Sequence, residues 1–175
     1  MKGTIKFWGI ISVMVIGFAF ISCGGTGSPA GDTWDTALNG RWYEAGRGEF
    51  VFDNGNWEFW WVSSGTRAPA DRGTAITSDG NRMTMTATHV SGVEVLRNSP
   101  PELVELGIIN PNNWYSRSQL SSFARDNLGM APPDVELLLH HTFMSYNLAY
   151  SITNNGNTLF LTWPNGNTGT FTRIP

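Results

Sequence analysis

The chain has 175 residues, 41% of them hydrophobic and 14% charged, with a formal net charge of −3 and one cysteine. A single cysteine excludes an internal disulfide, so a packed core must hold the fold, and the length is sufficient to build one. The acidic balance excludes the basic footprint of a nucleic-acid binder.

Lys2 and Lys6 precede an apolar run from Phe7 to Ile21, which closes in "FISC" at Cys23. A basic start, an apolar stretch and a small-residue cut site make a signal peptide. The run falls short of the roughly 20 residues a spanning helix needs. Ser22-Cys23-Gly24 at the cut resembles a bacterial lipobox, with Phe20 in place of the usual leucine. That resemblance implies removal of residues 1–22, lipidation of Cys23 with a palmitate-type acyl group, and attachment to a bacterial envelope membrane. An ordinary secretory signal with an incidental cysteine is the alternative. Removal takes both lysines, leaving nine arginines against fourteen acids, a formal charge of −5. Residues 23–33 follow as a Gly/Ser tether without apolar content, flexible by composition.

Residues 34–175 then read as one domain of eight strands, by alternation of apolar and polar positions. The first surrounds Trp42, the second runs Glu49–Asp53 and the third Asn56–Ser64. A weaker fourth covers Arg72–Thr77, and the fifth, Arg82–Val90, sets Met83, Met85 and Ala87 against Thr84, Thr86 and Thr88. The sixth places Met144, Tyr146, Leu148, Tyr150 and Ile152 on one face; the seventh is Thr158–Trp163 and the eighth Thr168–Ile174. Asn54-Gly55, Asp79-Gly80, Asn155-Gly156 and Asn165-Gly166 are expected two-residue hairpin turns, because Asn, Asp and Gly tolerate the positive φ that such turns require. Eight strands joined mainly by tight turns predict an all-β, antiparallel up-and-down barrel, which removes both sheet edges.

Between strands five and six lies an insertion, residues 91–141. Ser99, Pro100 and Glu102 spell a capping box with a proline start. Leu120, Phe123 and Leu128 form a helical stripe that Gly129 would end. "PPDVELLLHH" is either a further helical turn or the lead-in to the sixth strand. The insertion is longer than a turn requires, so it is expected to be a lid over one end or a cover on the outside.

Three short motifs occur in order: Gly40–Trp42 on the first strand, Phe52–Gly55 at a hairpin, and Gly169–Arg173 on the last strand. In this order they resemble the lipocalin-like (calycin-type) domains of bacterial lipoproteins. The resemblance covers the two ends of the domain and not the insertion. The chain also lacks the helix that usually follows the eighth strand. It implies a barrel closed at one end by Trp42 with Arg173 across its ring, and a cavity at the other end for a small apolar or amphipathic ligand.

On that reading the wall comprises Trp57, Phe59, Trp61, Met83, Met85, Tyr146 and Tyr150, which share the apolar faces of their strands. Trp60 would point outward, under the insertion. The alternative is that these residues simply fill the barrel, as they can at eight strands. The protein would then act through its insertion as a surface interaction or adhesion protein, with a partner the sequence does not name. No cofactor, metal or catalytic residue is expected. His140 and His141, read on a strand, would point to opposite faces. Glu44, Glu49 and Glu58 have no spacing that makes a catalytic carboxylate pair.

Overall fold

The computed structural model describes residues 34–78, 81–97, 109–140 and 142–175. Nine strands appear in chain order: β1 (Gly40–Glu44), β2 (Gly48–Asp53), β3 (Asn56–Ser63), β4 (Thr66–Ser78), β5 (Arg82–Ser91), β6 (Trp114–Ser116), β7 (Ser145–Thr153), β8 (Thr158–Thr162) and β9 (Thr168–Ile174). All pairings are antiparallel. Pairing of β1 with β9, and of β5 with both β4 and β7, closes eight of the strands into a barrel. β6 is the exception, a short strand beside the last residues of β5.

The pleat decides what the barrel holds. Inward positions carry Trp42, Phe50, Phe52, Trp57, Ala75, Met83, Met85, Ala87, Leu148, Tyr150, Leu159, Leu161 and Phe171, a continuous buried core. Outward positions on the same strands carry mainly Thr, Asn, Arg and Glu, with Ile76 and Phe160 as exposed exceptions. The period-2 pattern is thus the cause of the fold: any one-residue slip would turn an aromatic face to water.

Closure needs more than pattern. β4 was expected only over Arg72–Thr77, yet it runs from Thr66 to Ser78. Its first half, "TRAPAD", shows no alternation. It is extended because the upper half of β3 must be paired, and Pro69 is tolerated beside a register shift opposite Phe59/Trp60. A second shift lies at Arg72/Gly73 against β5. At Gly73 a Cβ would run into the Thr86 carbonyl oxygen, so only glycine lets β4 and β5 approach here. Trp57 stands opposite Gly73 in the register. Two bulges and a glycine corner bend the sheet enough to close.

Asn54-Gly55 is the expected two-residue turn, with φ of 46° and 81° between the paired residues Asp53 and Asn56. Two other turns are longer than expected. Asn154 joins Asn155 and Gly156 in the left-handed region, and the loop spans four residues between Thr153 and Thr158. Around Asn165-Gly166 the loop holds Pro164 as well: Gly166 N donates to Trp163 O and Trp163 N to Asn167 O, both at 2.9 Å. A proline-led turn ending in a left-handed glycine makes a three-residue hairpin loop. Asp79-Gly80 lies outside the described residues.

The insertion contains α1 (Gly92–Arg97), β6, α2 (Arg117–Leu128) and α3 (Pro132–His140). The helix expected at Ser99 falls outside the described residues. α1 was not expected; Ser91 Oγ caps it by accepting from Glu94 N at 3.1 Å. α2 matches the expected stripe. It starts in a capping box formed by Ser116 and Gln119 and ends at Gly129, φ 62°. "PPDVELLLHH" is helical as far as His140, so the strand geometry expected for the histidine pair is corrected. Val90 at the tip of β5, Ile109, Leu120, Ala124, Val135 and Leu139 form a second, separate core. The insertion therefore stands at the upper end of the barrel, docked on β3, β4 and β5, with an apolar interior of its own.

Candidate functional site

The lower end of the barrel is sealed. A 3-10 turn, Thr36–Leu38, crosses it before β1. Trp42 is wholly buried and donates from Nε1 to the Leu38 carbonyl at 2.7 Å. The Arg173 guanidinium lies 4.2 Å from the Trp42 ring centroid. It also donates to the carbonyls of Asn39 (2.6 Å), Ala37 (2.7 Å) and Gly156 (2.8 Å). The expected stack is present, and it doubles as a clasp that satisfies three loop carbonyls. Tyr150 adds a further bond, donating to Asp35 Oδ2 at 2.9 Å. Burial first, and this bond second, push its hydroxyl up to about 12.

The middle is filled. Trp57, Met83, Met85 and Tyr150 are buried among Phe50, Phe52, Leu159, Leu161 and Phe171. Phe50 touches four other rings at centroid distances of 4.8–6.3 Å. Of the seven residues expected to line a cavity, these four pack as core.

The upper end differs. Phe59, Trp61 and Tyr146 also face inward, yet each keeps partial solvent exposure. Phe59 and Trp61 meet edge to face at 4.8 Å. Trp61 Nε1 donates to Glu94 Oε2 of α1 at 2.8 Å, and Arg97 lies over the Trp61 ring at 4.8 Å while pairing with Glu94 at 3.6 Å. The insertion thus docks on Trp61. Outward-facing Trp60, expected beneath it, instead carries Arg67 at 4.0 Å.

Asp71 enters the same layer, opposite Phe59 on β4. Among the described residues its carboxylate has no hydrogen bond and no ion pair. Burial, and then the charge of Glu94, push it up to about 7 from a usual 3.8. The hydroxyl of Tyr146 is raised as well, by burial and then by Asp71. Phe59, Trp61, Tyr146 and Asp71, with Glu94 and Arg97 above, make an aromatic mouth containing one uncompensated carboxyl group. A strongly perturbed acid in such a place marks a functional-site candidate. Neither Asp71 nor Glu94 was found by pattern. Had β4 been read back beyond Arg72, the parity of Gly73, Ala75 and Thr77 would have turned Asp71 inward.

Two grooves lie outside the barrel. One, of about 420 Å³, runs along α2 and is lined by Ile109, Tyr115, Ser118, Gln119, Ser122 and Phe123. The other, of about 390 Å³, crosses β5, β7 and β8 near Arg82, Asn147 and Trp163. The three strand glutamates are spoken for elsewhere. Glu49 is buried between Arg41 and Arg67, each at 2.8 Å. Glu44 pairs with Arg47, and Glu58 accepts from Trp60. Among the described residues no group of three or more His, Cys, Asp or Glu is placed to hold a metal. No protein-family model, curated protein or solved structure matches the chain.

Proposed function

We propose that this protein is a lipid-anchored, lipocalin-like lipoprotein of a bacterial envelope, and that the upper mouth of its barrel binds a small apolar or amphipathic molecule. The observation that carries the reading is the change in exposure along one inward face. Below, the aromatics are sealed; above, Phe59, Trp61 and Tyr146 remain partly open to solvent. Inward aromatics left partly wet offer binding area at low entropic cost. The site is then the mouth, and Trp57, Met83, Met85 and Tyr150 form its floor. The Trp42–Arg173 stack supports the lipocalin-like reading. The anchor rests on Cys23, outside the described residues, and places the chain at a membrane, with the outer membrane or cell surface favoured. The role is binding rather than catalysis.

Native mass spectrometry of the purified domain tests this reading. The expected result is a bound small molecule that Trp61→Ala weakens. An empty domain that also fails to quench its tryptophan emission with any apolar probe overturns it. For the anchor, Cys23→Ala is expected to leave the membrane fraction, and retention there overturns the lipoprotein assignment.

A second reading has one observation in its favour. The groove along α2, with Tyr115 and Phe123 in its wall, and Leu137 of α3, 64% exposed, offer apolar surface on the insertion. Apolar surface of that kind suits a protein partner. An interaction protein would lose partner binding on Phe123→Ser while keeping probe binding at the mouth.

A further inference from the structure

We propose that the ligand of the mouth is a cationic amphiphile, a molecule with a positively charged ammonium head held at Asp71 and an apolar body lying against Phe59, Trp61 and Tyr146. This inference rests on the binding reading above and adds the chemical class.

The chain's own cations are the first argument. A partly buried carboxylate at the edge of an apolar interior is normally paired or hydrogen-bonded. Asp71 is neither among the described residues. Each arginine near it in the fold is engaged elsewhere. Arg97 is held by Glu94 and the face of Trp61. Arg72, the next residue along β4, lies over Trp114 at 4.6 Å. Arg67 is committed to Glu49 and Trp60. Among the described residues the mouth thus carries two carboxylates against one guanidinium, and Asp71 is the carboxylate left over.

The walls are the second argument. Aromatic faces attract cations, quaternary ammonium groups included. This mouth already holds one cation that way, Arg97 over Trp61. Phe59 stands directly opposite Asp71 across the β3–β4 pairing, and the charge of Asp71 is felt at the Tyr146 hydroxyl. An anionic head would meet Asp71 and Glu94 together. A neutral head would leave the acid unpaired.

Among the described residues the charged groups facing Asp71 are few. α1 contributes Glu94 and Arg97, and β7 contributes Tyr146. On β3, Glu58 pairs in register with Arg72, and on β5 so does His89. His89 is held below its usual value by burial and then by Arg72. Asp71, raised to about 7, titrates in the mouth near neutral pH.

Three probes with one tail length test the class: decyltrimethylammonium, the neutral decyl glucoside and the anionic decyl sulfate. Each is titrated below its micelle concentration into the intact mature domain at pH 6 and pH 8, with tryptophan emission and calorimetry as readouts. The ammonium probe carries a permanent charge, so any pH dependence of its binding belongs to the protein. Its affinity is expected to rise roughly tenfold from pH 6 to pH 8 as Asp71 ionises. At pH 8 it is expected to exceed the glucoside by about tenfold or more and the sulfate by a wider margin. Asp71→Asn is expected to flatten the pH response and bring the ammonium and glucoside probes together. Glucoside binding equal to ammonium binding at pH 8 overturns the cationic class and leaves the binding reading standing. Preference for the sulfate does the same. Failure of all three probes overturns both. If Asp71→Asn does not fold, the pH response of the unaltered protein decides the question alone.

Discussion

Single residues carry unequal weight in this barrel. Trp42 and Arg173 act as a unit, because the ring seals the floor and the guanidinium both stacks on it and ties three carbonyls. Trp42→Ala is expected to cost about 3–5 kcal/mol as a core truncation. Arg173→Ala is expected to cost about 2–3 kcal/mol, more than a ring contact alone, since it also leaves three acceptors unsatisfied. Arg173→Lys should recover little of this, because an ammonium cannot reproduce the fork. A urea-denaturation double-mutant cycle should show the two changes coupled; strict additivity would mean that the stack is incidental. Asp71 works in the opposite direction. Its folded value is about 7 and its ordinary value 3.8, so between those limits the folded state holds the proton more tightly than the unfolded chain. Stability is therefore lost as pH rises through this window. Asp71→Asn should stabilise the ligand-free domain at pH 8 by on the order of 2 kcal/mol, with the two proteins converging near pH 4. Equal urea midpoints at pH 8 would mean that the carboxyl is better solvated than its position implies.

Among the elements, β4 is where the barrel is most constrained. Gly73→Ala would drive a methyl into the Thr86 carbonyl oxygen, and the neighbour is backbone, which cannot swing away. A loss of more than about 2–3 kcal/mol is expected, placing it among the severe single changes. Gly129→Ala is the control. Unlike Gly73 it has a positive φ, and the added Cβ meets nothing within 4 Å, so only the roughly 1 kcal/mol of left-handed strain remains. Thermal denaturation of both variants should separate close packing from backbone preference. In the insertion, α2 depends on its cap: Ser116 N donates to Gln119 Oε1 at 2.8 Å, and Gln119 N to Ser116 Oγ at 3.4 Å. Ser116→Ala should cost about 1 kcal/mol, read as early loss of helical signal on heating while the barrel persists.

At the level of the whole molecule, two cores divide the labour. The barrel core ends at the layer of Phe59 and Tyr146, and the insertion core begins at Val90. They meet through Trp61, Glu94 and Ser91, whose Oγ donates to the Pro69 carbonyl at 2.6 Å. Excising residues 92–141 and bridging the gap with a short Gly/Ser linker should therefore leave a cooperatively folding barrel. Trp61 would lose its cover, so its emission should shift to the red, and probe release from the mouth should quicken. Loss of a cooperative transition in circular dichroism would show that the barrel needs the insertion to fold.

The sequence alone determined the strands whose inner and outer faces differ in kind. Met83/Met85/Ala87 against Thr84/Thr86 could be placed because a half-buried strand repeats its chemistry every two residues. The Asn-Gly hairpin at Asn54 and the α2 stripe were legible for similar reasons, each being a local signature, and the Trp42–Arg173 stack was implied by the resemblance of the motifs that carry the two residues. The tertiary structure decided the rest. The first half of β4 has no alternation and is a strand only because β3 lies beside it. α1 is held by one serine cap and by the surface of Trp61. The same inward face became core at Trp57, Met83, Met85 and Tyr150 but mouth at Phe59, Trp61 and Tyr146, because the floor is plugged by Trp42 while the described part of the insertion docks on the β3–β5 side. Most of all, the character of Asp71 is invisible in its own strand. A carboxyl group's charge depends on which cations reach it, and here every nearby arginine is turned away by pairings made across the fold.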